Sequence, residues 1–194
     1  MEHLKKIVGR MSYTAVCGWL IGFNLLDMVS TDLVLFHGSR GAIETNALAS
    51  SLQGSHRIAI LRVGTIVVLA AALHFSRIPV TALTALKRLS ARQFLLCKTG
   101  RIPRAVNVRI SVFMICAILS VTRLLAALSN ASGEVFGLSV PTVVSRLTGL
   151  TSLNAINGVS IVLLTVGAIG PISAFWEIFR RAEAPPPVLT PRRD

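Results

Sequence analysis

The sequence predicts an all-α polytopic membrane protein: four transmembrane helices in two hairpins, with an amphipathic cytoplasmic interfacial helix between them. Three observations predict it. The 194 residues are 53% apolar and only 14% charged, whereas soluble domains average about 45–50% apolar and about 25% charged. Mean hydropathy is +0.69, which excludes a disordered chain as well as an ordinary soluble domain. Four windows reach the roughly 20 mostly apolar residues that cross a bilayer. Finally, the windows sort the basic residues that outnumber the acidic ones by 20 to 8.

Residues 1–12 form a basic tail with Lys5, Lys6 and Arg10. The first hairpin spans residues 13–75, with helices expected over Tyr13 to Phe36 and Ile58 to Phe75. The first window is too long for a signal peptide, and Asn24 and Asp27 interrupt it, so it is retained as a helix. Residues 76–109 form a basic loop. Within it Leu83, Leu86, Leu89 and Phe94 recur at roughly helical spacing, with Lys87, Arg88 and Arg92 between them. That pattern suits an amphipathic helix on a leaflet of anionic lipid. The alternative is a cytoplasmic hairpin packed on its own helices. The second hairpin spans residues 110–179, with helices over Ile110 to Ser129 and Ile156 to Phe179. Residues 180–194 include three consecutive prolines and are expected to be a disordered cytoplasmic tail. None of the windows alternates like a barrel strand, and a helix satisfies its own backbone in lipid.

Orientation follows from the Lys/Arg distribution. Fifteen of the twenty fall in the two tails and the basic loop. Only Arg40, Arg57 and Arg146 fall on the other side, and Arg62 and Arg123 lie inside windows. Both termini are therefore expected in the cytoplasm of a prokaryotic cell, with the helices in its inner membrane. Topology accounts for the positive charge and no aromatic stacking set accompanies it, so no nucleic-acid partner is expected. Cys17, Cys97 and Cys116 fall toward the reducing side, where no structural disulfide is expected. No Cys/His spacing resembles a zinc site. The hairpins share a loose echo: Asn24-Leu-Leu against Arg123-Leu-Leu, and Ile60-Leu-Arg62 against Ala155-Ile-Asn157.

The informative residues are the polar ones inside the windows. Asn24, Asp27 and Thr31 share one helix face at i, i+3 and i+7, with Asp32 beside it. At about 1.5 Å per residue, Asp27 lies about 13 Å deep and Asp32 about 6 Å; Arg62 lies about 6 Å deep and Arg123 about 9 Å. Asn157 opens the last window. Glu44 and Asn46 stand just outside the membrane, Asn46 as a helix N-cap. An ionised group at mid-bilayer costs about 2.5–3.5 kcal/mol on insertion scales, so such residues seek partners. The expectation is a buried outer-leaflet cluster of these nine residues, with Arg62 as the partner of the first-helix acids because its donor fork matches a carboxylate.

At these positions the chain resembles an uncharacterised family of small prokaryotic integral membrane proteins, a domain of unknown function. The family pattern is N-x-x-D-x-x-T-T, then G, E-x-N-P and a Lys in the following helix. Here it reads Asn24-x-x-Asp27-x-x-Ser30-Thr31, Gly38, Glu44-x-Asn46, then Arg62. Ser30 replaces a Thr, Ala47 a Pro, and Arg62 the Lys. The resemblance covers roughly residues 20–75 and implies a membrane fold with a shared polar constellation, but no activity.

The functional expectation is a non-enzymatic accessory, assembly or interaction subunit without cofactor or metal. It would meet the bilayer's anionic inner-leaflet lipids and a membrane-protein partner or a second copy. The alternative is a small homodimeric transporter or ion-coupled permease using Asp27. An intramembrane enzyme is weaker still. Asp27, Glu44 and Asn46 could offer oxygen ligands to a divalent ion, but no Ser–His pair, Gly-x-Gly-Asp motif or phosphate loop is present.

Overall fold

The computed structural model of the chain describes residues 13–37, 56–77, 90–95 and 103–182. Every regular element among them is a helix. In chain order these are α1 (Tyr13–His37), α2 (His56–Phe75), α3 (Ala91–Leu95), α4 (Arg104–Phe136), α5 (Val140–Thr148) and α6 (Leu153–Ala182). Four contain stretches long and apolar enough to cross a membrane: Tyr13–Leu33, Arg57–Phe75, Arg104–Phe136 and Leu153–Ile178.

α4 extends beyond its apolar window at both ends. Hydropathy reports the thickness of hydrocarbon to be crossed, whereas a helix continues until a residue stops it. At the start, Pro103 is extended at φ −55°, ψ 141°, and Arg104 opens the helix. At the finish, Gly137 adopts φ 69°, the left-handed cap that glycine takes without Cβ strain. Its N–H reaches the Gly133 carbonyl at 2.9 Å, and that of Leu138 reaches Ser132 at 3.5 Å. The 33 residues give α4 a length of about 50 Å. Arg104 and Arg109, expected in the loop, are helical.

The turn into α5 is built closely. Ser139 caps α5 by accepting from the Thr142 N–H at 3.3 Å, with Pro141 in the first turn. Ser129 Oγ accepts from the Val140 N–H at 2.8 Å. Gly133 lies so near that an added Cβ would stand 2.9 Å from the Cβ of Ser139. The stretch Pro141 to Leu150, which is only semi-apolar in sequence, is thus largely a short capped helix.

α4 is the centre of the molecule and serves two cores. On one side Ile110 and Met114 pack with Ala168, Ile172 and Trp176 of α6. On the other, Cys116 and Ala117 pack with Leu20 of α1 and with Leu69 and Leu73 of α2. α1 and α4 run in the same direction. Tyr13 lies beside Phe113, ring centroids 6.0 Å apart, and Thr31 meets Asn130 farther along. α2 runs against them. The Tyr13 hydroxyl donates to the Leu73 carbonyl at 2.6 Å and lies 2.7 Å from the hydroxyl of fully buried Ser76. Arg109 closes this end by donating to the Arg77 carbonyl at 2.9 Å, its guanidinium 5.9 Å from the Phe75 ring centre.

α3 is short but locally encoded. Ser90 and Gln93 cap each other reciprocally: the Ser90 N–H donates to Gln93 Oε1 at 3.0 Å, and the Gln93 N–H to Ser90 Oγ at 3.3 Å. The Ala91 N–H donates to Glu177 Oε1 at 3.1 Å, and Ala91 and Leu95 pack toward the Trp176 core. Over these residues the segment therefore leans on α6. The reason is geometric: Ala91 and Leu95 share a face at i and i+4, and Trp176 offers that face a partner. Arg92 is exposed, while Lys87 and Arg88 lie outside the described residues.

Candidate functional site

A polar ladder runs along the seam between α1 and α4. α1 turns Leu20, Asn24, Asp27 and Thr31 toward that seam, a stripe set by the helical period. Asn24 is buried, and its amide donates to the Leu20 carbonyl and to Ser120 Oγ, both at 2.9 Å. One turn on, Arg123 Nη1 donates to Asp27 Oδ2 at 3.0 Å. Another turn on, Asn130 Nδ2 donates to Thr31 Oγ1 at 3.1 Å and lies 3.5 Å from Ser30 Oγ. The three rungs join residues 96, 96 and 99 positions apart. A nearly constant offset is the mark of parallel helices, which advance together along a shared seam.

A second ion pair branches off. Asp32 faces α2, where Arg62 holds it with both nitrogens at 2.5 and 2.6 Å. This fork is the bidentate geometry expected of Arg and carboxylate. The two pairs differ in setting. Asp27 keeps only 9% of its side-chain surface and Arg123 52%, whereas Arg62 and Asp32 keep 25% and 39%.

The pairing follows the sequence expectation at one acid and adds a partner at the other: Arg62 holds Asp32 of the first helix, and Asp27 accepts from Arg123, which the sequence placed in the cluster without a partner. Asp27 faces α4 and Asp32 faces α2, because five positions on a helix turn a side chain by about 140°. Asn24, Asp27, Thr31 and Arg123 do come together on one seam, with Asp32 and Arg62 on the neighbouring one. Glu44 and Asn46 lie outside the described residues. Asn157 sits half-buried near the start of α6, which packs on the other side of α4.

Ser120 and Asn130 were not singled out from sequence. A signal existed: Ser120, Arg123 and Asn130 repeat the small-polar, charged, small-polar order of Asn24, Asp27 and Thr31. Reading it requires knowing that the two helices are parallel neighbours. Tyr13 and Ser76 at the opposite end carry no comparable signal, since an interfacial tyrosine and a serine are ordinary at helix ends.

Among the described residues no cluster of three or more His, Cys, Asp or Glu is placed to hold a metal ion. The chemistry available on the seam is that of hydrogen bonds and matched charges. No family model, curated protein sequence or solved structure matches the chain.

Proposed function

We propose that the chain is a non-enzymatic integral membrane protein, an accessory, assembly or interaction subunit whose polar ladder sets the register of its helices. In this reading α1–α2 and α4–α6 are two transmembrane hairpins in a prokaryotic inner membrane, with both termini cytoplasmic. The basic segment with Lys87, Arg88 and Arg92 faces anionic inner-leaflet lipid. The partner is another membrane protein or a second copy of the chain. The resemblance over residues 20–75 belongs to the same reading.

The observation that carries it is the matching of charge along the seam: Asp27 to Arg123 and Asp32 to Arg62. Acid and base that hold each other define a packing geometry, and a polar group in an otherwise apolar interface is best attested as a register device. In lipid, where apolar surface gives helices little reason to choose one another, such contacts and close packing decide the seam.

The test is a replacement of each pair by apolar residues of similar volume. Asp27→Leu with Arg123→Leu, in a chain extracted with mild detergent, is expected to leave the native complex at its original size. A properly folded double variant that leaves that complex overturns the register role. Purified protein in liposomes is expected to move no ion or small solute. A flux that depends on Asp27 establishes the transporter reading instead.

A further inference from the structure

The outward side of α4 carries Val108, Ile115, Leu119 and Arg123 in one line, at steps of seven, four and four residues. The three apolar residues are exposed. Arg123 is the anomaly among them. More than half of its side-chain surface is open, although its carboxylate partner is enclosed. Its guanidinium donates from Nη1 to Asp27, and the fork carries further N–H donors on a side chain that stays more than half open. Bare N–H donors of a charged group are costly in hydrocarbon.

The sequence around Arg123 shows what could satisfy them. The apolar run of α4 ends at Leu128, and Ser129, Asn130, Ser132 and Glu134 follow. Arg123 is therefore about 8 Å, five residues, below the polar boundary. Asp27 holds the guanidinium near that depth, and local thinning of the leaflet brings a phosphate down to it. Below Arg123, on the side away from that boundary, Leu119 and Ile115 line the next 12 Å or so of the helix. That is close to the roughly 15 Å depth of one leaflet's hydrocarbon. A cationic fork above a straight apolar strip has the layout of a phospholipid: an anionic phosphate over an acyl chain.

We propose that Arg123, Leu119 and Ile115 form a phospholipid site on the outward face of α4. The open N–H donors of Arg123 hold the lipid phosphate by charge-assisted hydrogen bonds, and an acyl chain lies along Leu119 and Ile115. Asp27 fixes the guanidinium from behind through Nη1. The proposal rests on the membrane part of the proposed function and is independent of the subunit role.

The experiment uses the delipidated full chain in detergent, titrated with phosphatidylglycerol, phosphatidylethanolamine or diacylglycerol and followed by native mass spectrometry. Asp27→Asn keeps Arg123 and is expected to retain both phospholipids. Asp27→Asn with Arg123→Gln removes the cation without leaving a lone carboxylate, and is expected to bind both about tenfold more weakly. Arg123→Lys, which keeps a charge but loses the fork, should fall between. Diacylglycerol, having a chain but no phosphate, should bind all forms equally weakly. Equal phospholipid retention in the double variant, or diacylglycerol binding as strong as that of the phospholipids, overturns the site. So does a Leu119→Cys chain that cross-links to a second copy in native membranes, because a protein surface then covers the strip. Complex size and liposome flux are separate measurements, so loss of the lipid site leaves the subunit reading standing.

Discussion

Asp27 and Asp32 show how much a few residues of spacing decide when charge sits in an apolar helix. The Asp27–Arg123 contact is the better enclosed on its acidic side. Removing Arg123 alone leaves that carboxylate without its guanidinium. Arg123→Leu is expected to destabilise the protein by about 1–3 kcal/mol, whereas Asp27→Leu together with Arg123→Leu recovers most of that loss. Unfolding by sodium dodecyl sulfate in mixed micelles measures both. The neutral rung should matter less: Asn24→Leu forfeits the bond to Ser120, and interhelical hydrogen bonds in membranes average about 0.6 kcal/mol. If Asn24→Leu proves as damaging as Arg123→Leu, charge pairing does not dominate the seam. At this scale the sequence reveals which residues are exceptional but not whom they meet. The sequence favours Arg62 for both acids, and only the neighbours of α1 show that Arg123 takes Asp27.

Helix existence was legible because each window is long and uniformly apolar. Helix ends were not, since α4 passes through Ser129, Asn130 and Glu134 before Gly137 stops it. Caps are local chemistry and leave little trace in hydropathy. Two substitutions probe them. Gly133→Ala drives a methyl group into the Cβ of Ser139 and should loosen the α5 cap, a change of about 1 kcal/mol; protease cleavage within α5 should accelerate accordingly. Tyr13→Phe removes the hydroxyl that reaches the Leu73 carbonyl and Ser76. Its expected cost is about 1 kcal/mol, measured in the same detergent titration, with faster thiol labelling at Cys17 one turn away.

Across the whole molecule, the feature most legible in sequence was the segregation of basic residues, and it makes a topological prediction. Residues at the two ends of the helical array should react from opposite sides of the membrane. In cysteine-free protein, Arg77→Cys is expected to resist a membrane-impermeant maleimide applied to intact cells. Thr148→Cys should react with it. Labelling of both, or the reverse pattern, overturns the orientation. The arrangement of the helices around α4 was the least legible feature. It depends on which faces meet across nearly 100 positions of sequence, and apolar residues on every side of a helix leave those faces undefined.

That separation matters before the protein is complete. In the membrane reading proposed above, α1 is made long before Arg123, the residue that donates to Asp27, has been synthesised. At about 5–20 residues per second, the ribosome needs roughly 5–20 s to advance from Asp27 to Arg123. On that reading α1 carries the cost of an intramembrane carboxylate, about 2.5–3.5 kcal/mol on insertion scales, throughout that interval. Translation speed thereby becomes part of the folding problem. Slowing elongation between α2 and α4 should raise the share of nascent chains lost to proteolysis, and the Asp27→Leu, Arg123→Leu chain should be insensitive to the delay.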